Sequence, residues 1–123
     1  MARFVILRHD SPRSLHWDLM LEHAGALRTW ALATEPTSDA SIAAEALGDH
    51  RIAYLDYEGP VSGDRGTVVR WDQGEYVAVV WSDDRVTVEL RGHKLRGTAE
   101  LTRDADSALP QRWSMRFISA SSV

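Results

Sequence analysis

Hydrophobic and polar residues alternate along most of this chain with a period of two. Residues 16–22 are the clearest case. Trp17, Leu19 and Leu21 fall on one side, and His16, Asp18, Met20 and Glu22 on the other, which is the pattern of a strand. Residues 4–8 read as a strand before it and residues 26–32 as one after it, joined by the turn His23-Ala24-Gly25. Four more strands are predicted over 67–71, 75–81, 85–90 and 95–102, with Asp72-Gln73-Gly74 and Ser82-Asp83-Asp84 as hairpin turns. A last strand covers 112–118. Residues 34–38 form a loop carrying Pro36, after which the pattern changes. Ser38 is placed to cap a helix over 39–47, with Gly48 as its stop. Residues 49–66, rich in Gly, Asp and Pro, read as irregular. The expectation is a mainly β fold: a compact closed β-barrel of about eight strands with one short helix.

Composition narrows the function classes. With 123 residues the chain is one domain's worth, expected over 1–118 with a frayed tail at 119–123. It has no cysteine, which excludes disulfides, thiolate metal sites and cysteine nucleophiles. No apolar run approaches a membrane span and no leader pattern opens the chain, so a cytoplasmic protein without membrane contact is expected. The formal net charge is −4, so strong unaided binding to duplex nucleic acid is not expected. Of the 14 basic residues only Lys94 is a lysine. Arginine suits bidentate phosphate contacts, although a compositional bias toward arginine accounts for the same count.

The candidate chemistry lies at His9-Asp10-Ser11-Pro12-Arg13-Ser14-Leu15-His16-Trp17-Asp18. His16 and Asp18 are two apart on a strand and leave the same face. His9 ends the preceding strand across a short turn. Two imidazoles and a carboxylate so placed suit a divalent ion such as Mn, Fe or Zn, with positions left for water and substrate. Spacing alone is better met by two surface histidines flanking an ordinary turn. Farther on, Asp49-His50 and Tyr54 fall in the irregular segment. His50 is placed to contact a phosphate or to act as general acid, with the Tyr54 hydroxyl nearby. A histidine favoured by a helix C-terminus is the plainer account of it.

Together these elements resemble a known family. His9-Asp10, Leu15-His16-Trp17-Asp18-Leu19, Trp30-Ala31, Asp49-His50, Tyr54, Asp56-Tyr57-Glu58-Gly59, Gly66-Thr67-Val68, Trp71-Asp72, Gly92, Leu95-Arg96-Gly97 and Trp113 follow the signature of the 3′-phosphoesterase domain of bacterial ligase D. The resemblance implies a β-barrel and a manganese-dependent activity that trims ribonucleotides and phosphates from DNA 3′ ends in break repair. It implies His9, His16 and Asp18 as metal ligands, His50 on the scissile phosphate and Tyr54 beside it. It also implies nucleic-acid 3′ ends, and a repair protein, as partners.

Four positions depart from the family pattern. Met20 stands where an arginine usually grips phosphate, Leu7 where a glutamine is usual, and Thr34 and Ile42 where basic residues are usual. Arg13, in a turn one residue longer than usual, and Arg51 are candidate substitute cations, or else solvated charges. Met20 shares strand parity with Asp18, so it is expected beside the site, and Met20→Arg is expected to restore the clamp. Two alternatives stay open: a non-catalytic metal-containing binding or scaffold module of the same fold, and, behind it, a non-haem iron oxygenase built on the two-histidine, one-carboxylate set.

Overall fold

The computed structural model describes residues 2–37 and 40–120. Nine strands follow in order: β1 Ala2–Asp10, β2 Leu15–His23, β3 Ala26–Leu32, β4 Ser41–Ala46, β5 Gly59–Pro60, β6 Thr67–Trp81, β7 Arg85–Gly92, β8 Arg96–Arg103 and β9 Arg112–Ser119. The order across the sheet is β1-β2-β3-β4-β9-β8-β7-β6-β5, and β1 also pairs with β6. Eight strands therefore close a barrel, all pairings antiparallel, with the two-residue β5 appended to β6. Closure leaves no long unpaired edge among the described residues.

Alternation gives each strand an inner and an outer face. Phe4, Ile6, Leu19, Leu21, Trp30 and Phe117 are among the side chains filling the interior. A second, smaller apolar cluster lies on the outside of β1 and β2. There Val5, Leu7, Met20, Leu27 and Val68 pack beneath Leu55, which belongs to a 3-10 turn, Ile52–Leu55. That turn is tied down by the Arg3–Asp56 ion pair at 2.8 Å.

The barrel agrees with the sequence pattern, but two local expectations do not hold. The helix expected over 39–47 is strand β4, whose residues 42 and 44 are buried while 41, 43 and 45 are exposed. Ala and Glu favour helix only weakly. Hydrogen-bonded pairing with both β3 and β9 outweighs that preference and completes the barrel. Ser38 and Asp39, the expected cap and first helical residue, lie outside the described residues. The only helical segment among the described residues is the 3-10 turn.

Asp72-Gln73-Gly74 is not a hairpin turn either. It lies inside β6, which runs unbroken through 15 residues with register shifts opposite Ile6/Leu7 and at Ala78/Val80. Asp72 is buried and serves a different turn. Its Oδ1 accepts from the N–H groups of Gln73, His93 and Lys94 at 2.8–3.0 Å, and its Oδ2 from Leu95 N–H at 2.9 Å. It thus caps the β7–β8 connection. Gly92 makes room for it, since a Cβ there would stand 2.3 Å from Asp72 Oδ2.

The turn at Ser82-Asp83-Asp84 forms as expected, closed by Ser82 N–H donating to Arg85 O at 2.9 Å. Ser119 is the last residue of β9, and residues 121–123 lie outside the described residues. Among the described residues no helix is long and apolar enough to cross a membrane.

Candidate metal centre

His9 and His16 are direct cross-strand partners on β1 and β2. The four-residue turn between them is held by Ser11. Its N–H and Oγ–H both donate to Ser14 O, at 3.0 and 2.8 Å, and its Oγ accepts from Ser14 N–H at 3.1 Å. Asp18, two residues beyond His16, leaves the same outer face. The hairpin therefore brings both imidazoles and the carboxylate together without any long-range contact.

Candidate ligand atoms of His9, His16 and Asp18 lie within 4.8 Å of one another. His9 Nδ1 is 3.0 Å from Asp18 Oδ2, and His16 Nε2 is 3.2 Å from Asp18 Oδ1. The other nitrogens have their own partners. His9 Nε2–H donates to Arg65 O at 2.7 Å, and His16 Nδ1 is 3.2 Å from Ser14 Oγ. Each ring is thus held through one nitrogen and turns the other toward Asp18, as outer-shell partners orient metal-binding histidines. Asp18 is 3 % exposed, and its Oδ1 has no partner beyond the approach of His16 Nε2 at 3.2 Å. A buried carboxylate oxygen so thinly satisfied calls for an explanation, and a divalent cation between these N, N and O donors would supply one. The residues present fit the ion.

The electrostatics of the three groups are coupled. The hydrogen bond to Asp18 raises the His9 pKa above the usual imidazole value, against the opposing effect of burial. Burial pushes the Asp18 carboxyl up, but contacts from His16 and His9 outweigh it and hold it below the usual carboxylate range.

His50 reaches the same place by another route. Its backbone forms an isolated bridge with Leu27 of β3, with N–H···O distances of 2.9 and 2.8 Å, and its Nδ1–H donates to Gly48 O at 2.9 Å. An open pocket of about 840 Å³ is lined by His9, His16, Asp18 and His50, together with Arg65 and Arg112. That size is ordinary for a small-molecule or nucleotide-sized ligand. Tyr54 stands edge-on to His50, ring centroids 5.8 Å apart, but borders a separate, smaller cavity together with Arg51. Arg13 is exposed at the turn between β1 and β2 and lines neither cavity.

The arginines on the metal-site pocket are thus Arg65 and Arg112, which sequence reasoning passed over. Arg65 lies in the segment read as irregular, and Arg112 at the start of β9. Only the barrel closure and the fold of the loop bring them to residues 9–18, so spacing carried no signal for either.

The departures from the family pattern also acquire a structural reading. Met20 does share the face of Asp18, yet it is 1 % exposed and sits in the outer apolar cluster with Leu7. Two usually polar positions have become parts of one apolar patch. An arginine at position 20 would enter that patch, so Met20→Arg is not a simple restoration. Ile42 points into the barrel core, and Thr34 is exposed outside the pocket.

A sequence model of the DNA ligase D 3′-phosphoesterase domain matches residues 7–103. The similar curated proteins include three multifunctional non-homologous end joining proteins LigD. The one from Pseudomonas aeruginosa is 30 % identical over 125 residues, covering 92 % of this chain. Those from Mycobacterium bovis and Mycolicibacterium smegmatis are 34 % and 38 % identical, covering 81 % and 77 %. In each case the match takes in 14 % of the relative, so this chain spans only a small part of the length of those proteins. The match covers the hairpin with its three candidate ligands, the segment carrying His50, and strands through β8. The chain belongs to the DNA ligase D 3′-phosphoesterase domain family.

Proposed function

We propose that this chain is a divalent-metal-dependent phosphoesterase acting on nucleic-acid 3′ ends in end-joining DNA repair, removing a 3′-ribonucleotide or 3′-phosphate. The observation that carries the reading is one open pocket shared by the His9/His16/Asp18 cluster, His50, Arg65 and Arg112. His9, His16 and Asp18 would hold the ion, manganese by analogy with the family and zinc or iron by donor type. Such an ion acts as a Lewis acid on a phosphoryl oxygen.

The protein's own groups do the rest. His50 is held through Nδ1–H by Gly48 O, which leaves Nε2 facing substrate; in the imidazolium form of the ring Nε2–H donates to a phosphate oxygen or passes its proton to the leaving oxygen. Arg65 and Arg112 supply the positive charge absent at Met20. Neither makes an ion pair with a carboxylate among the described residues. Arg65 is held by Ser62, donating from Nε to Ser62 O at 2.7 Å and from a terminal nitrogen to Ser62 Oγ at 3.3 Å, which leaves its remaining N–H groups for an anion. With a net charge of −4, affinity for DNA comes from end recognition and from a repair-protein partner rather than from a broad basic surface.

The apolar patch at Leu7 and Met20 favours a second reading, a metal-containing binding module of the same fold without turnover. One experiment separates the two. The purified protein is incubated with Mn²⁺ and a primer-template ending in a single 3′-ribonucleotide. Shortened or 3′-phosphate ends are expected, and their absence with Mn²⁺, Zn²⁺ and Fe²⁺ alike leaves the binding module.

A further inference from the structure

We infer that Tyr57, with Tyr54 and Arg51, forms a stacking subsite for a nucleobase of the strand whose 3′ end enters the metal pocket; the identity of that strand rests on the function proposed above. The second cavity, about 220 Å³, is bounded by Arg51, Tyr54, Tyr57, Pro60 and Ser62. An aromatic ladder joins it to the first. His50 meets Tyr54 edge-to-face at 5.8 Å, and Tyr54 meets Tyr57 edge-to-face at 5.7 Å. The His50–Tyr54 contact therefore bridges the two cavities, and Tyr57 stands two ring contacts from the pocket that holds the candidate ligands.

Tyr57 is exposed, with 36 % of its surface open, yet its ring is fixed in place. Its hydroxyl donates to Pro60 O. The ring lies against Gly59, where φ is +139° and a Cβ would stand 3.1 Å from the Tyr57 hydroxyl oxygen. On either side the chain is anchored: Asp56 pairs with Arg3, and Glu58 accepts from Arg70 N–H at 2.7 Å. An exposed aromatic plate that is already ordered loses little entropy when a ligand settles on it. Arg51 beside it makes no ion pair among the described residues. Aromatic faces with an adjacent arginine are the usual means of holding single-stranded nucleic acid irrespective of sequence, by base stacking and cation–π contact. This accounts for the Asp56-Tyr57-Glu58-Gly59 motif, whose flanking residues position the ring and whose ring meets the base.

The test uses fluorescein-labelled single-stranded oligonucleotides ending in one 3′-ribonucleotide, either intact or with one abasic site at a different position near the 3′ end. Fluorescence anisotropy without metal reads binding, and addition of Mn²⁺ reads cleavage. Wild type is expected to bind one member of the abasic series roughly 5- to 100-fold more weakly than the intact strand, the worth of one base–aromatic stack. Tyr57→Ala, checked for folding by circular dichroism, should bind every member with the weaker affinity and cleave with raised KM and little change in kcat. Tyr57→Trp keeps an aromatic plate and should retain the discrimination, which makes it decisive should Tyr57→Ala fail to fold. Equal affinity of wild type for the whole series overturns the subsite, as does wild-type discrimination by Tyr57→Ala or its loss in Tyr57→Trp. A Tyr57-dependent binding pattern without cleavage under any metal would instead defeat the phosphoesterase reading and leave the subsite standing.

Discussion

His9 and His16 face each other across the β1–β2 pair with ring centroids 4.6 Å apart, and Asp18 touches both. Removing one ring leaves two donors, too few to hold a transition ion firmly. His16→Ala should therefore abolish stoichiometric Mn²⁺ or Zn²⁺ uptake in a calorimetric titration. In wild type, metal at about 100 times its Kd should stabilise the fold by ~2.7 kcal/mol, seen as a raised Tm. Unchanged uptake by the variant refutes the ligand assignment.

Metal uptake should strengthen as pH rises. The hydrogen bond to Asp18 raises the His9 pKa, with burial and the Arg65 guanidinium opposing it. An entering ion must displace the His9 proton. Below the raised His9 value the proton competes and affinity is weak; as pH climbs through that value the competition disappears. Asp18, held below the usual carboxylate range, is ionised throughout this window and adds no slope. Titrations at several pH values, in buffers of different ionisation enthalpy, should show rising affinity and proton release. A flat profile counts against the site.

Met20→Arg should destabilise the protein. Met20 is enclosed by Val5, Leu7, Leu27, Leu55 and Val68, among which a guanidinium would find no carboxylate. An uncompensated buried charge costs roughly 3–5 kcal/mol. Urea denaturation measures the loss. A variant as stable as wild type, with more 3′-end activity, would show that the side chain escapes to the pocket.

Asp72→Ala should loosen the end of the barrel at the β7–β8 connection. Four backbone N–H groups lose a buried charged acceptor, each such bond being worth about 1.5–3 kcal/mol with partial recovery by water. A loss of roughly 2–4 kcal/mol is expected, together with faster amide hydrogen exchange at His93, Lys94 and Leu95. Exchange unchanged at those amides would contradict the capping role.

What was legible in the sequence follows the range of the contacts involved. The β1–β2 hairpin is local, and alternation over 16–22 placed His16 and Asp18 on one face; spacing alone did not mark them as ligands, and it was the resemblance to the family that singled them out together with His9. Strand β4 was hidden because Ala43, Ala44, Glu45 and Ala46 suit a helix taken alone. Its strand state depends on β9, some seventy residues away. Asp72 looked like a turn residue and is one, but for a turn twenty residues later, which its own neighbours do not reveal. Arg65 and Arg112 reach the pocket only through tertiary folding, so the cations guessed from nearness in sequence, Arg13 and Arg51, were not those that line it.

The order in which these parts are synthesised has its own consequence. The three candidate ligands are complete by residue 18, within one hairpin, whereas the pocket wall is finished only when Arg112 has been made. At about 5–20 residues per second, on the order of 5–20 s of translation separates the two. The closing β1–β6 pairing is also non-local, the slow kind to form. A nascent chain therefore has all three candidate ligands well before it has a barrel, although an isolated hairpin is only marginally stable in water, so the cluster acquires its fixed geometry when β6 closes on β1.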